Sequence, residues 1–247
     1  MYTLSYRNIY KPFKLIKIMK TIKLLKILER YPVFTVNDLA RILNKKQEYI
    51  KTLLYRLKKR DLVYRLERNK YTIYDDAFLV ASLVYFPSYI SLWSALRFYN
   101  LTEQLPKKIF VVVSVPRKPL KFQDTIIEFI KIKHFFGFKK ERYKDFDIFI
   151  AEPEKAIIDS FLLKKIPFDE IENSVKDKQI NKNKLINYAL KIKNKTLIKR
   201  LGFLLEENNF KCNKLRKFID NNYVLLDFAL LKKGRKNNKW RIIDNRK

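Results

Sequence analysis

Between Val33 and Tyr74 the apolar residues change period, and that change limits what the chain can build there. The stretch reads VFTVNDLARILNKKQEYIKTLLYRLKKRDLVYRLERNKYTIY. In its first part Val36, Leu39, Ala40 and Leu43 fall at i, i+3, i+4 and i+7, which is one face of a short helix. Thr35 stands where an N-cap belongs, and Asp38 lies in the first turn, near the positive end of the helix dipole. Asn44 tolerates the left-handed backbone that ends such a helix.

A second helix is expected from about Lys46 to Arg60, with Ile50, Leu53, Leu54 and Leu57 facing inward. The opposite face then carries Glu48, Thr52, Tyr55 and Lys59, flanked by Lys45, Lys51 and Arg56. Beyond it the period drops to two. Leu62–Leu66 and Lys70–Tyr74 alternate as strands, and Glu67, Arg68 and Asn69 form the turn. Two helices followed at once by a basic hairpin make a winged helix-turn-helix, a DNA-reading fold. The expected contacts are Lys45, Lys46, Gln47, Lys51, Thr52, Tyr55, Arg56 and Lys59 on the second helix. Arg65, Arg68 and Lys70 are expected on the wing. The helix alone fits a solvated basic face equally well; the hairpin favours DNA.

Charge bears on the same point. The formal net charge is +30, which points to a polyanionic partner unless it only reflects a lysine-rich codon bias. Its distribution argues against uniform bias. Residues 1–74 carry nineteen Lys and Arg against five Asp and Glu, and residues 161–247 carry twenty-three against nine. Residues 75–160 carry thirteen against eleven, so the middle third is nearly neutral.

Cys212 is the only cysteine, which excludes an intrachain disulfide and a cysteine-based zinc cluster. His134 is the only histidine and sits in IKIKHFFGF, a strand end, so histidine-based catalysis is not expected. No apolar run reaches membrane-spanning length, and the start of the chain lacks a signal-peptide core. A cytoplasmic setting is expected, with no metal and no cofactor.

The 247 residues suffice for two or three small domains. The expected organisation is α+β. Residues 1–18 form a basic extension, and 19–75 the winged helix-turn-helix. Residues 76–160 form a mixed α/β middle region. Residues 161–247 form a basic, mainly helical region, able to pack with the middle one. Met19 begins MKTIKLLKILERYP, itself a natural protein start, so Met1 and Met19 both qualify. Leu15, Ile18, Ile22, Leu25 and Ile27 or Leu28 outline an amphipathic helix ending near Tyr31-Pro32, the third helix that a winged domain needs. Two helices are expected at about 76–85 and 91–99, broken at Pro87-Ser88. Strands are expected at Phe110–Val115, Thr125–Lys133 and Phe146–Ala151, with helices from Pro153, at Asn183–Lys193 and at Thr196–Glu207.

Several of these segments carry a resemblance. PSYISLWSALRFYNLTEQLP, Glu152-Pro153-Glu154-Lys155-Ala156-Ile157-Ile158-Asp159, Lys199-Arg200-Leu201-Gly202-Phe203-Leu204-Leu205-Glu206 and the closing Lys239-Trp240 occur in the order found in AbiEi-type antitoxins, which the chain resembles over roughly residues 20–243. Asn100 stands where that family usually has glycine. The resemblance implies an antitoxin and autorepressor of a type IV toxin–antitoxin operon, whose winged helix binds promoter inverted repeats and whose C-terminal region carries antitoxin activity. It implies a separate nucleotidyltransferase-like toxin, without requiring a direct complex. Inverted repeats bring two copies to one site.

Two alternatives come from the residues. Asp147, Glu152 and Glu154 suggest a metal-dependent nuclease, but Pro153 occupies the position two before Lys155, where that chemistry needs an acid. A structural role for Glu154, Lys155 and Asp159 at a helix–sheet junction fits better. The basic C-terminal region also suggests RNA binding.

Overall fold

A computed structural model of the chain describes residues 21–104 and 107–246. The expected extension, the helix positions Leu15 and Ile18, the choice between Met1 and Met19, and Leu105-Pro106 at the end of the quoted segment lie outside the described residues. The fold is mixed α+β and falls into two compact units, which meet in sequence at Val84 and Tyr85.

The first unit runs α1 (residues 21–28), β1 (Phe34–Thr35), α2 (Val36–Leu43), α3 (Gln47–Lys58), β2 (Tyr64–Glu67), β3 (Lys70–Thr72) and α4 (Ala77–Ala81). Its core unites Leu24 and Leu28 of α1 with Phe34, Val36, Leu39, Ile50, Leu54, Leu57 and Val63. The α1 face differs from the expected one. Ile22 is 48% exposed and Ile27 38%, whereas Leu24 and Leu28, one turn apart, are buried. Apolar residues occupy five of the eight positions of α1, so its sequence alone leaves the inward face undetermined. The hairpin belongs to a three-stranded sheet ordered β1-β3-β2, in which the two residues of β1 pair with Tyr71 and Lys70.

The second unit is built on a six-stranded sheet ordered β6-β7-β5-β4-β9-β8. Its strands are β4 (Ser88–Ile90), β5 (Lys108–Val113), β6 (Leu120–Phe122), β7 (Thr125–Lys131), β8 (Phe138–Tyr143) and β9 (Phe146–Ala151). The break expected at Pro87-Ser88 is strand β4. It lies between β5, antiparallel to it, and β9, parallel to it. Helices α5 (Leu92–Phe98) and α6 (Pro153–Leu163) pack on each other and on this sheet. The boundary expected between residues 160 and 161 falls inside α6, which also contacts α7 (Phe168–Lys176), α8 (Lys182–Ile192) and α9 (Lys195–Glu207). After α10 (Asn213–Arg216) the chain closes with a second three-stranded sheet, β10 (Val224–Leu225), β11 (Arg235–Asn237) and β12 (Ile242–Asp244).

Helix α6 is buried almost all round, including Glu154, Lys155 and Asp159. Lys155 and Asp159, one turn apart, form an ion pair whose side chains are both 0% exposed. Tyr89 Oη donates to Asp159 Oδ2 at 3.1 Å, and Ser91 Oγ donates to the same oxygen at 2.9 Å. Lys155 Nζ also donates to Tyr89 Oη at 2.9 Å and lies 5.3 Å from the Phe136 ring centroid. Tyr89 in turn stacks on Phe138, with ring centroids 4.7 Å apart. Burial pushes the Asp159 carboxyl up and the Lys155 ammonium down, and their mutual attraction opposes both shifts. The Tyr89 hydroxyl is raised by burial and by the Asp159 charge, so it stays a donor.

Removing one partner of a buried pair strands the other charge. Asp159→Ala is therefore expected to destabilise the protein by roughly 3–5 kcal/mol in denaturant unfolding, and Lys155→Met with Asp159→Leu to lose less than the single change. A double variant less stable than Asp159→Ala contradicts this account of the pair.

Candidate nucleic-acid interface

The basic face stands on α3, and α2 fixes where α3 begins. Thr35 caps α2 reciprocally. Asp38 N–H donates to Thr35 Oγ1 at 3.1 Å, and Thr35 N–H donates to Asp38 Oδ2 at 2.9 Å. Burial works against ionised Asp38, but Thr35 and Arg41 outweigh it and hold the carboxyl below its usual value. Asn44 closes α2 in the left-handed region at φ 49, and α3 starts three residues later. No side chain caps α3 at Lys46; exposed Lys45, Lys46 and Gln47 stand at that end, with the acidic Glu48 also in the first turn.

Along α3, Ile50, Leu54 and Leu57 are buried, and Glu48, Lys51, Thr52, Tyr55, Arg56 and Lys59 are exposed. Tyr55 is 62% exposed, and Lys59 Nζ lies 5.5 Å from its ring centroid. Thr52 Oγ1 donates to the Glu48 carbonyl at 3.1 Å, which leaves its lone pairs outward. The helix thus presents cations, a phenol and hydroxyl acceptors, the mixture used to hold phosphates and touch base edges.

The hairpin differs from expectation in two ways. Its turn is Arg68-Asn69 alone, because Glu67 belongs to β2 and pairs with Lys70 across a bulge at Leu66. Lys70 is withdrawn from the expected wing tip. Its Nζ pairs with Glu67 Oε1 at 2.7 Å and donates to the Val84 carbonyl at 2.5 Å. Arg65 and Arg68 remain exposed, with Arg65 Nε donating to the Glu67 carbonyl at 3.2 Å. The turn is also tied down. Asn69, at φ 65, accepts from the Val36 N–H at 3.1 Å, so one side chain joins the hairpin to the first turn of α2.

Sequence reasoning passed over Tyr49, which is 53% exposed on α3. The signal was present: Tyr49, Leu53, Arg56 and Arg60 follow i, i+4, i+7 and i+11, a second stripe beside the basic face.

The carboxylates of the nuclease alternative are dispersed among protein partners. Asp147 lies near Lys140 and Arg142 on the exposed end of the β8–β9 pair. Glu152 pairs with Lys184 and accepts from the Tyr188 hydroxyl, and Glu154 accepts from the Asn181 N–H at 3.0 Å. Among the described residues no group of three or more His, Cys, Asp or Glu is placed to hold a metal ion, and no helix is long and apolar enough to cross a membrane. No protein-family model and no curated protein matches the chain.

The Asn69 tie carries a prediction. Asn69→Gly keeps the positive φ but deletes the bond to Val36. It is expected to cost about 1 kcal/mol in unfolding and to speed hydrogen exchange at the Val36 amide. Unchanged exchange there would mean that the hairpin is held by strand pairing alone.

Proposed function

We propose that this chain is a DNA-binding transcriptional autorepressor and antitoxin of the AbiEi type, reading inverted repeats in its own promoter. The exposed face of α3 carries the reading. Lys51, Thr52, Tyr55, Arg56 and Lys59 stand opposite the buried Ile50, Leu54 and Leu57, so the helix can enter a major groove without disturbing its core. The order helix, strand, helix, helix, hairpin, with β1 completing the sheet, supports a winged helix-turn-helix. Lys45, Lys46 and Gln47 meet phosphate at the uncapped end of α3. Arg65 and Arg68 serve as the wing, and Lys70 acts only as a brace. Two copies occupy a palindromic site. The second unit supplies the antitoxin activity against a nucleotidyltransferase-like toxin, and the setting is cytoplasmic.

A second reading has one observation in its favour. Lys232, Lys233, Arg235 and Lys236 are exposed together around β11, a cationic patch suited to RNA. Preference for a structured RNA over the promoter duplex would support it.

Fluorescence anisotropy on the protein's own upstream DNA tests the first reading. Arg56→Ala and Lys59→Ala are each expected to weaken binding and to lower the slope of log K against log salt by about one. If both variants bind like the parent, α3 is not the recognition helix.

A further inference from the structure

Beside the basic face, on the Tyr49 stripe, α1, the end of α2 and α3 enclose a groove of about 300 Å3. Leu24, Leu43, Leu53 and Leu57 form its apolar lining, Tyr49 stands at its edge, and Lys45, Arg56 and Arg60 supply its charge. Among the described residues no acidic side chain lines it. An apolar cleft of this size with a few convergent polar groups is the usual form of a small-molecule site. Three cations in the lining favour an anion, with Glu48 outside the groove on the adjoining side of Tyr49, Leu53 and Arg56, and the leucines favour an apolar body.

We propose that this groove binds a small amphipathic carboxylate, an aryl or short acyl acid, whose chain lies on Leu43, Leu53 and Leu57 while Arg56 and Arg60 hold the carboxylate. Arg60 is exposed just beyond the end of α3 and lies outside the set assigned to DNA, so it belongs to the ligand alone. Lys45 and Arg56 belong to both sets. With Arg56 engaged by the carboxylate and the acid seated beside Lys45, both are lost to phosphate, so ligand and duplex compete. This coupling rests on the DNA-binding reading, whereas the ligand site does not. It makes the first unit a metabolite-responsive repressor, in which the acid releases the promoter.

The full chain is titrated with 4-phenylbutyrate, with the neutral 4-phenylbutan-1-ol and the cationic 4-phenylbutylamine as controls. Heteronuclear NMR and thermal unfolding are the readouts. The proposal expects saturable binding of the carboxylate near or below about 1 mM, with shifts at Leu43, Tyr49 and Leu53. It expects at least tenfold weaker binding of both controls. Arg60→Ala should weaken carboxylate binding about tenfold while its duplex affinity stays close to parental. Equal binding of the amine and the acid, shifts scattered away from the groove, or an unaffected Arg60→Ala would each overturn the site. With saturating carboxylate present, duplex affinity is expected to fall at least fivefold. An unchanged affinity overturns the competition. A protein that binds the acid at the groove but no duplex at all overturns the DNA reading and leaves the site standing.

Discussion

The Lys155–Asp159 pair is the constraint on which the second unit depends. Taking an ammonium and a carboxylate out of water costs several kcal/mol each, and only a complete set of partners offsets it. That set comes from three places in the chain: Tyr89 on the central strand β4, Ser91 at the start of α5, and Lys155 and Asp159 on α6. The network therefore fixes how two helices meet one strand. Gly137 completes the arrangement: at φ 72 any other residue is strained, and a Cβ there would lie a tight 3.1 Å from Lys155 and from Tyr188.

The same use of charge recurs nearer the C-terminus. Lys199 is buried and turned to Asp220 and the Asn222 carbonyl, and Arg200 Nε donates to the Leu225 carbonyl at 2.9 Å. Gly202 leaves room for Trp240, whose Cζ3 would stand 2.0 Å from an added Cβ. Trp240 Nε1 donates to Glu206 at 2.7 Å, and Lys239 pairs with the same carboxylate. Arg246 is shared among Glu172, Glu207 and Asp244. Four cations of this basic third, Lys199, Arg200, Lys239 and Arg246, thus tie α9 to the segments that follow it, so net charge overstates what is offered to a partner. On α3 the division is the reverse, with an apolar core inside and the cations outside.

Long periodic elements were legible in the sequence. Helix α2 runs from Val36 to Leu43 with Thr35 and Asn44 as its caps, and β9 spans Phe146–Ala151, both as their spacing predicts. Short strands were not legible, since two or three residues carry no period. β1 is recognised only by its pairing with β3, and β4 only by the strands on either side. β8, reading FKKERY, is largely exposed and polar, so its alternation is masked, and β11 is equally polar. A structural role for Glu154, Lys155 and Asp159 at a helix–sheet junction was legible, and they are buried on α6, but the partners of Lys155 and Asp159 were not. PSYIS and PEKAIID are about sixty residues apart, and only the fold brings Tyr89 and Ser91 to Asp159. Lys70 was misplaced because its neighbours along the chain do not reveal the Val84 carbonyl fourteen residues away.

The claim that α3 reads a specific duplex is tested most directly by footprinting the full chain on the DNA upstream of its own gene, with excess scrambled duplex present. The account predicts two protected half-sites, centred about one helical turn or a multiple apart and retained as salt is raised. Protection spread evenly along the fragment, and erased by the scrambled competitor, would contradict it and reduce the basic face to non-specific attraction.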